Sequence, residues 1–390
     1  MNGHPTHPKS SEVSMKRSRR TRPGRDGQRG QILVIAVISM IAMIGGISLV
    51  LEGGNAYAHQ RVVQNGSDSV ANAGAMVIAE RLGGALKTDA DVKAAAMAMS
   101  GSNLLDGFAA YYSDVKGNLL TLAGTPAPNT ASAAQVGNVS NLVPPGAQGI
   151  QVTGTQMFPT TFARVIGMND FRASADSTAV AGALTGGIFL PVVFPVNIVD
   201  CDASGSLGSG ETTWDISEPG EPPIGQEYIV PLCKTGAGSF MVLDLDGTPN
   251  NCDEEVRNPP KLQFAAFPAD VASDNGNNCA KPMADEVNKL AGKIVLIPIC
   301  DGYCTTTGGS NATYHIIRVA AFYLDYMVAE NPGGSGHDPL CQGNGTTLVP
   351  IAGNGSSSCL VGWFVRYITS GPVGSGNIEG AGAIGIQLIR

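Results

Sequence analysis

The sequence predicts an α+β protein in which a long N-terminal transmembrane helix precedes a strand-rich, disulfide-stapled exported region. Three observations support this fold class. Residues 31–51 form an uncharged, mostly apolar run, and all eight cysteines come after residue 200. The chain also contains 51 glycines and 24 prolines, while only 14% of its residues are charged. This composition is more typical of an exported protein rich in turns and strands than of a cytosolic enzyme.

The apolar run is long enough to cross a bilayer as one helix, because a helix rises about 1.5 Å per residue and the hydrocarbon core is about 30 Å thick. Residues 1–30 are rich in proline, serine and arginine and show no apolar periodicity, so we expect a basic, disordered tail. By the positive-inside rule this tail stays in the cytoplasm and the chain after residue 51 lies outside. The sequence therefore predicts a single-pass protein of the cell membrane. The basic residues just before the run are Lys16, Arg17, Arg19, Arg20, Arg22, Arg25 and Arg29.

A cleaved signal peptide is the competing interpretation of the same segment. Ala56-Tyr57-Ala58 has the small-x-small pattern of a cleavage site. However, the apolar run is longer than the usual signal-peptide core of about 7–15 residues, and the basic tail is also long. These features favour an anchor that is retained, and they leave cleavage as an open alternative.

The first part of the exported region, residues 52–184, is expected to combine helices with a strand–helix–strand unit. Apolar residues recur at spacings of three and four up to Leu82, where Gly83-Gly84 predicts the end of the helix. Thr88 is a plausible N-cap for a second helix that reaches about Met99. Alternation and turn residues predict strands at 118–122, 149–157 and 171–180, with a short helix at 159–166.

The second part, residues 185–390, begins after the Thr185-Gly186-Gly187 boundary and is expected to be a β-rich, cysteine-containing extracytoplasmic domain. Residues 281–290 are the best helix candidate in it. We expect glycine- and serine-rich loops at 331–342 and 343–358. The predicted strands cover residues 188–199, 227–232, 240–245, 293–299, 314–328 and 359–368.

The cysteines predict up to four disulfides, because their number is even and all of them lie in the part placed outside the cytoplasm. Zinc binding is the alternative, but no CxxC motif is present and His315 and His337 lack ligand spacing. Connectivity is not readable from sequence; Cys300 and Cys304 are near enough to pair, and other partners are equally open. The eight residues are Cys201, Cys233, Cys252, Cys279, Cys300, Cys304, Cys341 and Cys359.

Charge distribution bears on the partners. Residues 1–30 hold eight Lys/Arg against two Asp/Glu, whereas the rest of the chain carries a net charge of −14. An acidic exported region argues against nucleic-acid binding, and the basic tail is suited to anionic lipid. We therefore expect the bilayer as a partner, with no nucleic acid and no small-molecule substrate.

Three short motifs resemble known catalytic or metal-binding sequences. Asp244 and Asp246 lie in VLDLDGT, which resembles the nucleophile motif of haloacid-dehalogenase-like phosphatases, but no paired acidic motif follows on alternating β and α elements. Asp202, Ser204 and Ser206 match the metal-adhesion motif of von Willebrand A domains without the helices which that fold requires.

The third motif, residues 253–255 after Asp246, suggests a loose calcium site, but EF-hand spacing fails when Gly247 is placed at the sixth position. Since no nucleophile, phosphate-loop or dinucleotide motif is convincing either, we predict that the protein is not an enzyme. We assign no catalytic, cofactor-binding or metal-binding residue and no cofactor.

Arg29-Gly30-Gln31 leads into the apolar run, and Glu52 with Gly54-Asn55-Ala56-Tyr57 follows its end. Val63-Gln64-Asn65 and Ala73-Gly74-Ala75 lie in the predicted helix beyond it. This pattern over residues 30–82 resembles the N-terminal domain of TadG-like (TadE/TadG) proteins of tight-adherence, Flp-type pilus assembly, with its membrane-helix entry, polar exit and following helix. Residues 162–167, FARVIG, and the strand at 173–179 resemble the second signature of that family.

The resemblance implies a pilin-like long helix and a membrane-anchored structural or accessory role in pilus assembly, with other assembly subunits contacted through that helix. Ala42 and Gly46 form a small-xxx-small pair suited to such contact, although small residues also simply occur in membrane helices. Ile35 stands where the processed pilins of this system carry glutamate, which favours an unprocessed component. The alternative function is a surface-exposed binding module or adhesin. The partner subunit, oligomeric state and any adhesion target stay open.

Overall fold

The computed structural model describes residues 26–139, 141–198, 214–215, 225–233, 239–264, 267–302, 304, 312–329, 341, 358–374 and 382–389. These residues form four α-helices: α1 Asp26–Leu82, α2 Asp89–Ser102, α3 Cys252–Arg257 and α4 Gly276–Val287. Two short 3-10 helices lie at Ala163–Ile166 and Asn288–Leu290.

Strands make up most of the remaining described structure. In chain order they are β1 Gly107–Ser113, β2 Gly149–Pro159, β3 Asp170–Leu184, β4 Gly186–Ile188, β5 Phe194–Pro195, β6 Asn197–Ile198, β7 Trp214–Asp215, β8 Glu227–Pro231 and β9 Ser239–Leu243. They continue with β10 Lys261–Gln263, β11 Ala269–Asn275, β12 Ile294–Cys300, β13 Thr313–Ala329, β14 Ser358–Phe364, β15 Tyr367–Ser370, β16 Val373–Gly374 and β17 Ala383–Ile389. The α+β class is confirmed. The chain divides into two compact units, Met1–Asn55 with Thr160–Asn169 and Ala56–Pro159 with Asp170–Arg390.

Helix α1 is the longest element, with 57 residues, and it ends at Leu82 as predicted. The amide of Gly83 still donates to the carbonyl of Ala79 at 2.9 Å, and Gly84 then takes a left-handed φ of +88°. Glycine adopts that conformation without steric penalty, so the Gly83-Gly84 pair stops the helix.

Helix α2 begins after Thr88, as predicted, and extends to Ser102, beyond the expected end at Met99. The Asp91 carboxylate accepts the Thr88 amide at 2.8 Å and the Thr88 hydroxyl at 2.9 Å. These bonds satisfy a donor that the first turn of a helix leaves without an intrahelical partner.

The first sheet has the strand order β1-β2-β3-β17-β15, with β16 also paired to β3. All neighbours are antiparallel except β15 and β17, which run parallel. The expected strands at 149–157 and 171–180 are present as the longer β2 and β3. Between them in sequence, the predicted helix at 159–166 is reduced to the 3-10 turn at Ala163–Ile166.

The predicted strand at 118–122 is wrong. Only isolated bridges join Ser113 to Leu119 and Leu120 to Pro126 there. The Asp114 carboxylate accepts the amides of Lys116 and Asn118 at 2.9 and 2.8 Å, and these bonds hold a turn in place of a ladder.

One core lies between this sheet and the helices. Helix α1 contributes small and β-branched side chains, which pack against α2 and against strand residues that are fully buried. The main contributors are Val63, Val70, Ala71, Ala75, Ile78, Val92, Ala96, Tyr112, Ile150 and Val152.

The second sheet has the order β5-β12-β13-β11-β9, with β14 paired to β13 and β8 paired to β14. Strands expected at 227–232, 240–245, 293–299 and 314–328 correspond to β8, β9, β12 and β13. The segment at 188–199 is divided among β4, β5 and β6, and the one at 359–368 is divided between β14 and β15. The helix predicted at 281–290 is present as α4 and the following 3-10 turn.

Aromatic rings fill the centre of the second core. Phe322 and Phe364 meet edge to face with centroids 5.1 Å apart, and Phe194 lies 5.7 Å from Phe322. Such edge-to-face pairs add about 0.5–1.5 kcal/mol beyond the area they bury. The aromatic cluster therefore helps to hold β5, β13 and β14 together.

Candidate functional site

The first candidate site is the apolar segment of α1. Among the described residues this is the single helix that is long and apolar enough to cross a membrane, and none of its most apolar 18 residues is buried. Ile41, near the middle of the run, is 65% exposed. Large apolar side chains exposed over such a length indicate a surface that is covered by lipid or by another helix.

Small residues interrupt this surface on one side. The Ala42 and Gly46 pair lies four residues apart on α1, and a Cβ built on Gly46 would have no heavy atom within 4 Å. Nothing in the described chain therefore occupies the space beside Gly46. Helix contact through this pair stays a prediction.

Directly after the apolar run, Glu52 binds the backbone of the turn at 160–169. Its Oε1 atom accepts the amide of Thr161 at 2.8 Å, of Phe162 at 3.0 Å and of Ala163 at 3.1 Å. Three amides on one carboxylate oxygen satisfy the donors at the start of the 3-10 turn, which would otherwise lack partners. The sequence marks Glu52 as the end of the apolar run and as part of the polar exit, but it does not show this contact, because no local pattern reveals a partner more than 100 positions away.

The second candidate site is an acidic loop, defined as residues 244–255, which joins β9 to α3. Asp244, Asp246 and Glu255 each place one carboxylate oxygen within 4.8 Å of the other two. These residues are the first, third and twelfth of the loop. EF-hand spacing fails from Gly247, whereas a count from Asp244 places these three acids at the first, third and twelfth positions, with Pro249 in place of the glycine at the sixth. The acidic positions counted from Asp244 are therefore the sequence signal for the group.

Hydrogen bonds within the acidic loop fix its backbone. Asp244 Oδ1 accepts the Gly247 amide at 2.6 Å, and Asp246 Oδ1 accepts the Thr248 amide at 2.7 Å. Gly247 has a φ of +82°, which favours glycine at this point of the turn. The two aspartates are thus held by their own loop.

Glu255 closes the loop from the first turn of α3. It is 1% exposed, and its Oε1 atom accepts the amides of Leu245 at 2.6 Å and Asp246 at 3.0 Å. Its Oε2 atom is buried and has no hydrogen-bond partner among the described residues. Burial raises the pKa of Glu255 to about 7; the two amides oppose this, and the charges of Asp246 and Asp244 add to it.

The other two acids of the motif at 253–255, Asp253 and Glu254, face elsewhere. Arg257 binds Glu254 at 2.5 Å and Asp253 at 3.2 Å, and it also reaches Glu286 at 3.0 Å. Of the residues at 253–255, the structure therefore brings only Glu255 to Asp244 and Asp246.

The phosphatase-like motif lies in the same loop, but the strand before it is not part of the parallel sheet that phosphatase chemistry requires. Strand β9, which precedes Asp244, pairs in antiparallel fashion with β11, and an antiparallel bridge also joins its Val242 to Val192. Nucleophile aspartates of that class follow a strand of a parallel α/β sheet. The backbone around Asp244 is therefore a turn after a strand with antiparallel neighbours.

The expected disulfides are present in the described part of the chain. Cys252 pairs with Cys279, Cys300 with Cys304, and Cys341 with Cys359, at Cα separations of 5.5, 5.4 and 5.8 Å. Cys233 is also disulfide-bonded, and none of the described cysteines is free. Cys201 lies outside the described residues.

The other residues considered in the sequence motifs form no common centre among the described residues. His315 Nδ1 lies 2.8 Å from Asp270 Oδ1, and both side chains are more than half exposed. Asp202, Ser204, Ser206 and His337 lie outside the described residues, as do residues 1–25 of the basic tail and most of the loops at 331–358.

Comparisons with family models, with curated proteins and with solved structures found no match to this chain.

Proposed function

We propose that the protein is a membrane-anchored structural or accessory component of tight-adherence (Flp) pilus assembly. The observation that carries the proposal is the exposed apolar segment of α1, which continues within one helix into a stretch that buries Val63, Val70 and Ile78. A helix of this kind anchors a folded region to a bilayer and leaves a face on which neighbouring helices pack. The role is structural and not catalytic.

The sequence resemblance supplies the pilus-specific part of the proposal. It covers the RGQ entry at Arg29-Gly30-Gln31, the helix up to Leu82 and the signature around the Ala163–Ile166 turn. The Glu52 contact supports this resemblance. The turn at Ala163–Ile166, which belongs to the second family signature, starts with amides that bind Glu52 at the end of the apolar segment. Partner subunits would meet the chain through the apolar segment.

A deletion strain complemented by single variants tests this function. Deletion should reduce surface filaments and adherence, and the wild-type gene should restore both. Ile41→Arg places a charge at the middle of the apolar segment, where it costs about 2.5–3.5 kcal/mol for insertion, so it should restore neither. Ile41→Leu keeps the segment apolar and should complement as well as the wild type.

The readouts separate the proposal from its alternative. If electron microscopy shows the same number of filaments in the deletion strain as in the wild type, a role in pilus assembly is contradicted. If adherence to a surface is lost while filaments persist, the result instead favours the surface binding module or adhesin.

A further inference from the structure

We propose that Asp244, Asp246 and Glu255 form a binding site for a divalent cation, with Ca²⁺ as the ion that fits best. This inference is independent of the proposed function. One carboxylate oxygen of each residue lies within 4.8 Å of the others. Two oxygens that bind the same Ca²⁺ ion at about 2.4 Å are at most about 4.8 Å apart, so the three are already placed to share an ion.

The buried oxygen of Glu255 is a separate observation that points to a ligand. Oε2 has no hydrogen-bond partner among the described residues, although the side chain is only 1% exposed. Removing a carboxylate oxygen from water without giving it a partner costs free energy. The amides of Leu245 and Asp246 bind the other oxygen and hold the carboxyl group against the loop. A cation bound by the Glu255 carboxyl group would supply the missing partner.

The charge balance agrees with a cation. Within the described residues no Lys, Arg or His lies in ion-pair distance of Asp244, Asp246 or Glu255, and the nearby Arg257 is engaged by Asp253, Glu254 and Glu286. Carboxylates this close repel one another, most strongly where one of them is buried. A bound divalent ion removes that repulsion.

The donor set selects the ion. Every candidate ligand in the loop is an oxygen, which suits Ca²⁺ and Mg²⁺ and disfavours zinc or copper. The positions also suit Ca²⁺: carboxylates occupy the first, third and twelfth places of the acidic loop, with Thr248 at the fifth and Asn250 at the seventh. Pro249 stands at the sixth place, where an EF-hand loop has glycine, so the loop is not an EF-hand. Mg²⁺ requires near-ideal octahedral geometry and retains several waters, whereas Ca²⁺ accepts a larger and less regular oxygen shell.

The loop is organised before any ion arrives. Asp274 accepts the Asn250 amide at 2.8 Å, and the disulfide from Cys252 to Cys279 fixes the start of α3. The buried Asn251 Oδ1 atom also lacks a hydrogen-bond partner among the described residues, and the amide nitrogen of the same side chain lies 3.1 Å from Asp246. Binding would therefore order few additional groups, which favours affinity.

Calorimetric titration of the full chain, purified in detergent and freed of metal with EDTA, tests the site with CaCl₂ and, in parallel, MgCl₂. We expect one Ca²⁺ per chain with a Kd of about 10⁻⁴–10⁻³ M, the range of extracellular calcium modules. Asp244→Asn and Glu255→Gln keep an oxygen for the loop amides but remove a charge, so each should weaken binding at least about tenfold. Asp253→Asn removes the same charge two residues from Glu255, on the side of Arg257, and should leave the Kd unchanged.

No heat of binding at millimolar Ca²⁺ would overturn the proposal, and so would equal Kd values for the wild type and Glu255→Gln. Mg²⁺ binding as tight as Ca²⁺ binding would overturn the choice of ion. Circular dichroism of each variant guards against loss of the fold. If Glu255→Gln does not fold, the variant Asp246→Asn replaces it in the test, because Asp246 is exposed. A Kd for Ca²⁺ that is unchanged in Asp246→Asn would contradict the site.

Discussion

Asp89 shows how a single buried carboxylate can organise its surroundings. It is 3% exposed and accepts the Tyr112 hydroxyl at 2.7 Å and the Gly137 amide at 2.8 Å. Burial, and then the hydrogen bond to Asp89, raise the pKa of Tyr112 above its ordinary value, so the phenol remains a neutral donor. The pair joins the start of α2 to β1.

Tyr112→Phe removes one of these donors without removing the ring. Because hydrogen bonds to charged groups contribute about 1.5–3 kcal/mol, we expect the free energy of unfolding to fall by about that amount in urea titration. Tyr111→Phe on the same strand is the matched control, since the described residues show no side-chain hydrogen bond for Tyr111. Similar losses in the two variants would show that the Asp89 bond contributes nothing specific.

At the same scale, the sequence shows the residues of the acidic loop but not their grouping. Asp244 and Asp246 are visible as turn formers, and Glu255 reads as one acid in a run of three. Only the rotation of α3 decides that Glu255 points inward while Asp253 and Glu254 bind Arg257. The direction of each of these side chains depends on the periodicity of α3, a six-residue helix that was not predicted from the sequence.

At the scale of elements, local signals located the ends of α1 and α2, whereas strands that depend on distant partners were harder to predict. Gly83-Gly84 and Thr88 act through bonds within a few residues, and both predicted helix boundaries there are confirmed. Strand β17 was missed, because its stability depends on β3, about 200 residues earlier. The strand predicted at 118–122 failed for the opposite reason, since Asp114 satisfies the backbone locally.

The small residues of α1 allow a test of helix contact. A Cβ on Gly46 or on Gly45 would meet nothing within 4 Å, so leucine at either position is tolerated by the chain itself. Gly46→Leu should nevertheless weaken association with a partner helix, because it fills the small-xxx-small face. Gly45→Leu lies about 100° away around the helix and serves as the control. Crosslinking yields in membranes that are equal for the two variants would contradict contact through Gly46.

Two disulfides of very different span allow a second test at this scale. Cys252 and Cys279 are 27 residues apart, whereas Cys300 and Cys304 are four apart. In the chain-entropy model a longer loop gives more stabilisation, so removing the first by double alanine replacement should cost about 3.5 kcal/mol and removing the second about 2 kcal/mol. Urea titrations of the two double variants measure this. A larger loss for the Cys300–Cys304 pair would show that local packing outweighs loop closure.

At the scale of the whole molecule, the first sheet is completed by distant parts of the chain. Strands β1, β2 and β3 come from the first half, while β15, β16 and β17 come from the last 24 residues. Composition and periodicity cannot show such pairing, because the residue pattern of a strand does not identify the strand with which it pairs. The division of residues 52–390 into two parts near residue 184 remains a prediction.

The charge asymmetry of the whole chain predicts the membrane topology. Residues 1–30 carry an excess of six positive charges and the remainder carries −14, so the tail should stay in the cytoplasm. Alkaline phosphatase fused after residue 82 should be active, because that enzyme folds only in an oxidising compartment, and the fusion should leave the membrane only with detergent. The same reporter fused after residue 30 should be inactive. An inactive fusion at residue 82, or a mature protein that begins at His59, would contradict a retained anchor with its N-terminus inside.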